Sequence, residues 1–193
     1  MHLYTLILKK MLNNKSTKEI SSIYGPVESW RLGKSLGVDL IMNTSTCSFN
    51  CTYCQLGFIQ EITTERKVFV ETEKIIEDFK ASNWEKADII TFSGSGEPTL
   101  AKNLGDCIDE IKKITNKPIS ILTNATMLHL KEVRDNIINA DIISVKLDAP
   151  NDETLKQINR PAENVTLKSI TDGIEDLKID IKNNFNHKPK IQV

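Results

Sequence analysis

Three cysteines stand within a stretch of eight residues, at Cys47, Cys51 and Cys54. They follow an apolar run, Val38–Met42, that predicts a buried strand. A loop at the end of a strand can direct several thiolates at one point, and closely spaced thiolates are the usual ligands of an iron–sulfur cluster. A four-iron cluster held by three cysteines leaves one iron without a protein ligand, and a substrate or cofactor can bind there. The spacing therefore predicts a reactive iron–sulfur site.

Other roles for these cysteines stay open at this point. Disulfide frameworks are typical of short secreted chains with paired cysteines, whereas this chain has 193 residues and one further cysteine, Cys107. A ferredoxin-type cluster takes four cysteines. A structural zinc site also needs a fourth ligand, and the candidates for it are Cys107, His2, His129 and His187. We favour the iron–sulfur interpretation and assign Cys107, which falls within a helical apolar pattern, to the core.

The composition predicts a globular protein of one domain with a substantial core. Hydrophobic residues make up 39% and charged residues 26% of the chain, and the net charge is −1. This charge gives no electrostatic footprint for nucleic acid. The apolar run near the start, Leu6–Leu8, is too short to span a membrane and lacks a cleavage pattern. We therefore expect a cytoplasmic protein without membrane association.

Strand and helix signals alternate along the chain, which predicts an α/β fold with a parallel sheet and right-handed crossovers. We expect residues 1–23 to be a loosely attached lead-in, followed by a turn at Gly25 and Pro26. Strands are expected at about 38–42, 88–93, 119–123 and 142–147, and a fifth begins at about 190–193. Helices are expected over 71–80 with Thr72 as a cap, over 104–111, over 130–137 and, as the longest, over 167–181.

The predicted fourth strand distinguishes a barrel from a doubly wound sheet. Ser144, Lys146 and Asp148 share one face of this strand, and the other face is apolar. A strand covered by helices on both sides should be apolar on both faces. One polar face favours a barrel or half-barrel whose interior holds a ligand, and barrel active sites gather at the carboxyl ends of the strands.

Polar residues also follow the second and third strands. The second strand leads into Gly94, Ser95, Gly96 and Glu97, where the backbone can approach a ligand closely and Glu97 could hold an ammonium group. A tight turn with a proline in the first turn of a helix explains the same residues. Asn124, after the third strand, is either a polar ligand or a helix cap.

An arginine, Arg160, follows the loop after the fourth strand. It could clamp a carboxylate, or it could simply lie on the surface. Neither a Walker motif nor a Rossmann fingerprint is present in the sequence.

The cysteine spacing, with the aromatic Tyr53 before the last cysteine, resembles the signature of the radical S-adenosylmethionine (SAM) superfamily. The segment Gly94–Glu97 resembles the Gly-Gly-Glu segment of that family, which binds the methionine amino group of SAM. Within it, the chain is similar to an iron–sulfur oxidoreductase group related to wyosine-type tRNA-modifying enzymes. The similar segments are Tyr24–Asp39, Phe92–Leu100 and Asn159–Pro161. Trp30 departs from the pattern, because the group commonly has another arginine there.

The resemblance implies a partial (β/α) barrel over residues 24–193. In it, Cys47, Cys51 and Cys54 would bind a [4Fe–4S] cluster, and the fourth iron would bind SAM. An electron from a flavodoxin- or ferredoxin-like donor would then cleave SAM to methionine and a 5′-deoxyadenosyl radical, which abstracts hydrogen from a substrate. The residues that would contact SAM are Tyr53, Gly94, Ser95, Gly96 and Glu97, to which we add Asn124, Ser144, Lys146 and Asp148 from strands three and four.

The family barrel continues beyond the point where this sequence ends. We therefore expect the domain to be incomplete near strand five, either as a truncated chain or as one that a partner completes. A tRNA base is a possible substrate through the family, although the charge does not support it, and a protein or small molecule fits equally. The alternative function is a SAM-inactive module that keeps the cluster for electron transfer; only the enzyme needs the Gly94–Glu97 loop.

Overall fold

A computed structural model describes residues 20–184 and 187–193 of the protein, so that most of the predicted lead-in, residues 1–19, lies outside the described residues. The strands are β1 (Ile23–Ser29), β2 (Gly33–Val38), β3 (Thr46–Cys47), β4 (Glu61–Ile62), β5 (Ile89–Phe92), β6 (Ile119–Thr123), β7 (Ile142–Val145) and β8 (Lys190–Gln192). The α-helices are α1 (Thr72–Lys80), α2 (Leu104–Ile114), α3 (Lys131–Ile137), α4 (Asp152–Ile158) and α5 (Leu167–Asn183).

Six of the strands form one sheet, in the order β1-β2-β5-β6-β7-β8. The pair β1 and β2 is antiparallel, and every other neighbouring pair in this sheet is parallel. Strands β3 and β4 form a separate two-stranded parallel ribbon. Strands β1 and β8 are the two edges of the large sheet, so the described strands form a partial barrel and not a closed one. The predicted α/β fold with a mostly parallel sheet is confirmed.

The two faces of the large sheet differ in chemistry. One face packs against the helices through fully buried side chains such as Leu36, Ile90 and Phe92, which join the helices in one core. The opposite face carries buried hydroxyl groups, and Ser35 Oγ lies 2.7 Å from Thr91 Oγ1 there. Side chains alternate between the faces of a strand, and the register places Ser120 on the same face as Thr91, together with apolar residues such as Ile89. The strand β7 ends at Val145, so Ser144 lies in the predicted strand while Lys146 and Asp148 follow it; the half-barrel with a ligand in its interior therefore stays a prediction.

The start of the sheet differs from the prediction. The expected turn at Gly25 lies within β1, whose register with β2 shifts between Tyr24 and Val27. The first parallel strand ends at Val38, and the apolar residues after it are buried outside the sheet. The strand signal of β2 was weak because it contains lysine, serine and glycine. One of these, Gly37, is needed because the Tyr24 ring covers it: a Cβ there would lie 2.0 Å from the ring.

Two details of the helices also differ from the prediction. Helix α1 begins at Thr72, but its cap residue is Glu71, and the Thr72 hydroxyl instead accepts a hydrogen bond from Asn103 Nδ2 at 3.0 Å. Helix α4 was not predicted because it is mostly polar and buries only Leu155. None of the helices within residues 20–184 and 187–193 is long and apolar enough to cross a membrane.

The edge of the sheet is attached to α1 through Asp78. Its Oδ2 accepts from the backbone N of Ser22 at 2.7 Å and from the Ser22 hydroxyl at 2.9 Å, and its Oδ1 accepts from Lys74 Nζ at 2.6 Å. Partial burial alone would raise the pKa of Asp78, but the hydrogen bonds from Lys74 and Ser22 outweigh it and the net pKa is lowered.

We expect Asp78→Ala to lower the free energy of unfolding by about 1–3 kcal/mol near neutral pH, because two donors of Ser22 lose their acceptor. A lowered folded-state pKa adds stability above the unfolded-state pKa, and this stability is lost as the pH falls through the folded-state pKa. The difference from the wild type should therefore shrink in acid. Urea titrations of both proteins, from neutral pH down to acid, measure this difference in the free energy of unfolding. Asp172→Ala, which breaks the exposed pair with Lys168, is the control, and an equal loss in both variants would contradict the role of Asp78.

Candidate functional site

The strand that carries the first cysteine is held by the loop that follows β5. Thr46 N donates to Ser95 O at 3.0 Å, and Glu97 N donates to Thr46 O at 3.1 Å, so that β3 and this loop form a parallel bridge. Gly96 makes this approach possible, because a Cβ at that position would lie 1.7 Å from Thr46 O. The predicted Gly94–Glu97 segment is therefore in direct backbone contact with the strand that carries Cys47.

Asp39, at the end of β2, fixes the same loop from the other side. Its Oδ2 accepts from the backbone N of Ser95 at 3.0 Å and from the Ser95 hydroxyl at 2.6 Å. Its Oδ1 accepts from the backbone N of Ile41 and of Met42. This role of Asp39 is not predicted from the sequence, because Asp39 falls within the apolar run Val38–Met42 that predicts a strand. The signal that could have predicted this role is the position of a carboxylate at the carboxyl end of a parallel strand, where the functional loops of such sheets lie.

The segment at the end of α4, residues 158–162, forms backbone hydrogen bonds with the cysteine loop. Phe49 is buried and forms an antiparallel bridge with Pro161. Backbone hydrogen bonds join the two segments at Asn50 N to Asn159 O, Thr52 N to Ile158 O, and Ala162 N to Ser48 O, each at 2.9 Å. The side chain of Arg160, in the same segment, is exposed, which favours the surface alternative for this residue.

The three cysteine thiols are free, and the charges of Cys51 and Cys54 act on Cys47. The pKa of Cys47 is raised to about 12, first by burial and then by the charges of Glu97, Cys51 and Cys54, against a smaller opposite effect of the hydrogen bond from Phe49 N. A bound metal replaces the thiol proton, so a raised pKa makes cluster assembly depend on pH without preventing it.

Within the described part of the chain, no three Cys, His, Asp or Glu side chains converge on one metal ion. The cysteine ligands of a four-iron cluster need not converge in this way, because each binds a different iron. Of the four candidate zinc ligands, Cys107 is buried in the core as predicted, His129 Nδ1 lies 2.9 Å from Thr126 O, and His187 Nε2 lies 2.7 Å from Ala140 O. His2 lies outside the described residues.

Hydrogen-bond donors surround two of the sulfurs. Cys47 Sγ accepts from Phe49 N at 3.4 Å and from Asn124 Nδ2 at 3.5 Å. Cys51 Sγ accepts from Lys146 Nζ at 3.4 Å and from Asn159 Nδ2 at 3.3 Å. Thiolate and cluster sulfurs accept such bonds, which stabilise their negative charge. This donor set fits a thiolate-bound iron–sulfur cluster.

The carboxylate of Glu97 is already occupied by internal donors. It is 3% exposed, Oε1 accepts from Thr99 N, Thr99 Oγ1 and Thr123 Oγ1, and Oε2 accepts from Asn124 N at 2.7 Å. Burial raises its pKa despite these bonds. Glu97 thus joins the loop after β5 to the end of β6. In this arrangement, Glu97 and Asn124 lie together beside Cys47, as the sequence predicts for residues at the carboxyl ends of strands.

Three further predicted residues meet beside Cys51. Lys146 Nζ lies 4.3 Å from the centroid of the Tyr53 ring and 3.4 Å from Asp148 Oδ2, and the Tyr53 hydroxyl donates to that carboxylate. Burial would lower the pKa of Lys146, but the Tyr53 hydrogen bond and the charges of Cys51 and Asp148 outweigh it and raise that pKa. Ser144 lies apart from this group and donates to Gln192 Oε1 on β8 at 3.2 Å.

Asn159 is a site residue that the sequence analysis missed. It is fully buried, and its Nδ2 donates to Cys51 Sγ, to Asp148 Oδ2 at 2.8 Å and to the Tyr53 hydroxyl at 3.2 Å. The segment Asn159–Pro161 was noted for its resemblance to the oxidoreductase group, but only Arg160 was considered for a role.

Comparison with known proteins finds curated relatives of similar sequence. The chain is 50% identical over 155 residues to a UPF0026 protein of Synechocystis sp., a match that covers 80% of this chain and 58% of that protein. It is 37% identical over 155 residues to a UPF0026 protein of Methanocaldococcus jannaschii, covering 78% of this chain and 48% of that protein. A probable GTP 3′,8-cyclase of Thermoplasma volcanium is 29% identical over 140 residues, covering 72% of this chain and 39% of that protein. The chain thus spans about half the length of the curated relatives it matches.

The family profile of the radical SAM superfamily matches residues 43–184. The matched range contains the three-cysteine loop, the Gly94–Glu97 loop and Asn159, which are the parts that the structure brings together. The match covers well over half of the 193 residues. The chain therefore belongs to the radical SAM superfamily, whose members bind a [4Fe–4S] cluster and SAM.

Proposed function

We propose that this chain is a radical SAM enzyme that binds its [4Fe–4S] cluster through Cys47, Cys51 and Cys54. When bound, the cluster supplies the electron for reductive cleavage of SAM to methionine and a 5′-deoxyadenosyl radical, which starts hydrogen abstraction from a substrate. The observation that supports this most is the backbone bridge between the Gly94–Glu97 loop and the strand that carries Cys47, with N–H donors directed at the sulfurs of Cys47 and Cys51.

The chain's own residues would position SAM around this centre. The Gly94–Glu97 loop would offer backbone groups and the Glu97 carboxylate to the methionine part, because Gly96 lets the loop approach Cys47 closely. The Tyr53 ring, 50% exposed beside Cys51, offers an apolar face. We assign supporting contacts with SAM to Asn124, Ser144, Lys146 and Asp148.

The electron donor that we propose is a flavodoxin- or ferredoxin-like protein. Four substrate classes should be tested. A tRNA base follows from the resemblance to wyosine-type enzymes, and a purine nucleotide follows from the similarity to the probable GTP 3′,8-cyclase of Thermoplasma volcanium. Other small molecules and proteins are the remaining two, and the net charge of −1 gives no preference for nucleic acid.

One observation favours a second candidate function, a cluster-binding module without SAM chemistry. The four donors on Glu97 leave its carboxylate buried and satisfied without any ligand. A protein that used its cluster only for electron transfer would need no other partner for Glu97.

We expect anaerobic reconstitution with iron and sulfide to yield a cluster that forms 5′-deoxyadenosine from SAM under reduction. Alanine at Cys47, Cys51 or Cys54 should abolish both the cluster and the formation of 5′-deoxyadenosine, because each substitution removes the only protein ligand of one iron. Cys107→Ala is the matched control and should keep the cluster and the activity, because this thiol lies on the buried face of α2 in the hydrophobic core. Iron and sulfide analysis, the EPR spectrum and product assay measure these outcomes.

The same experiment separates the alternatives. A wild-type cluster whose spectrum ignores SAM, with no 5′-deoxyadenosine formed, would favour the cluster-binding module. Retention of zinc without any cluster would show that the central proposal is wrong.

We expect Glu97→Gln to weaken SAM binding to the reconstituted protein by about tenfold or more, the equivalent of roughly 1.4 kcal/mol, because an amide cannot accept from all four donors that hold the Gly94–Glu97 loop in place. Equilibrium binding of SAM measures the dissociation constant. Glu132→Gln is the control, since Glu132 is largely exposed and pairs with Arg66. If Glu97→Gln folds and binds SAM with the wild-type dissociation constant, the assignment of this loop is incorrect.

A further inference from the structure

Cys51 differs from the other cysteines in its surroundings. Its sulfur accepts hydrogen bonds from two side chains outside the cysteine loop, Lys146 after β7 and Asn159 after α4. At Cys47, one of the two donors is the backbone N of Phe49 in the same loop, and the other is the neutral amide of Asn124. Of these two sulfurs, that of Cys51 is the one that accepts from a side-chain cation, which would balance the charge of a thiolate there.

Asn159 is buried although one of its polar atoms is unsatisfied, and the hydrogen bonds of its other polar atom compensate for this. Its Oδ1 is buried without a hydrogen-bond partner in the described part of the chain, while its Nδ2 has three acceptors around it. The opposite orientation of the amide would direct Oδ1 at the sulfur and at the Asp148 carboxylate, which is worse. A leucine of similar size would avoid the unsatisfied oxygen. What asparagine adds at this position is a pair of N–H donors directed at Cys51 and Asp148.

The ammonium group of Lys146 is held in place from three sides. It lies over the Tyr53 ring, 3.4 Å from Asp148 Oδ2 and 3.4 Å from Cys51 Sγ. The ring and the carboxylate restrict a side chain that would otherwise have many rotamers. The positive charge therefore stays next to the sulfur.

We propose that Lys146 and Asn159 are positioning residues that raise the reduction potential of the cluster by stabilising negative charge on the Cys51 sulfur. This inference rests on the proposed function, in which Cys51 binds an iron. A one-electron donor is oxidised while the cluster goes from [4Fe–4S]2+ to [4Fe–4S]+, and the added negative charge is shared with the cysteine sulfurs. A cation and N–H donors at a sulfur stabilise the reduced form more than the oxidised form.

The test is a redox titration of the reconstituted cluster, followed by EPR, in which dithionite supplies the electrons. Asn159→Leu and Lys146→Met should each shift the midpoint potential to more negative values, so that a smaller fraction of the cluster is reduced at a fixed potential. Lys146→Arg retains the charge and should stay close to the wild type. This pattern of potentials, at equal iron content, would support the proposal.

Two matched controls test whether structural damage alone has this effect. Asn103 is also buried with an unpartnered Oδ1, but it bonds to Val70 O and Thr72. Lys112 is as exposed as Lys146 and lies 3.4 Å from Asp141. Asn103→Leu and Lys112→Met should both keep the wild-type potential, and a similar shift in these variants would overturn the proposal.

The outcomes distinguish this inference from the proposed function. If the wild type assembles a cluster that cleaves SAM but Asn159→Leu and Lys146→Met keep its potential, the inference is wrong and the function stands. If the wild type assembles no cluster, both are wrong. If Asn159→Leu loses its cluster, the comparison of Lys146→Met with Lys146→Arg decides, because equal potentials in those two variants would overturn the role of the charge.

Discussion

The contact between Thr46 and the loop after β5 is the constraint on which the site depends. Thr46 donates to Ser95 and accepts from Glu97 through backbone atoms alone, so the contact needs no particular side chain at Thr46. It does need Gly96, whose lack of a Cβ lets the two backbones approach. Strand β5 lies inside the sheet, between β2 and β6. Because the loop after β5 bonds to Thr46, the sheet fixes the position of the neighbouring Cys47.

This arrangement also concentrates negatively charged groups around the cysteine loop. Glu97 acts on the charge of Cys47, and Asp148 lies beside Lys146, which bonds to Cys51; burial makes negative charges here costly, and thiolates bound to iron would add to them. The structure balances them with donors: backbone and hydroxyl groups at Glu97, an amide at Cys47, and an amide and an ammonium group at Cys51. The pKa shifts of Cys47 and Lys146 have this common origin, since each is altered by its charged neighbours as well as by burial.

The features that could be predicted from the sequence are those with a local signal. The cysteine spacing, the Gly94–Glu97 loop and the apolar periods of β5, β6 and α5 depend on residues close in the sequence. Strand β2 was misplaced because its partner, the Tyr24 ring, lies on another strand and requires glycine where a strand signal expects an apolar residue. Asn159 was missed for a similar reason, because 108 residues separate it from Cys51 and no local pattern contains that contact. Asp39 was missed because the misplaced strand enclosed it.

The polar face of the sheet connects the fold with the site. Parallel sheets normally bury apolar side chains on both faces, yet Ser35, Thr91 and Ser120 are buried on the face away from the helices. The first two satisfy each other, whereas Ser120 Oγ has no partner in the described part of the chain. An apolar interior would be the more stable choice if packing were its only role. Hydroxyl groups here are compatible with a polar occupant, and the strands that carry them lead into Asp39, the Gly94–Glu97 loop and Asn124.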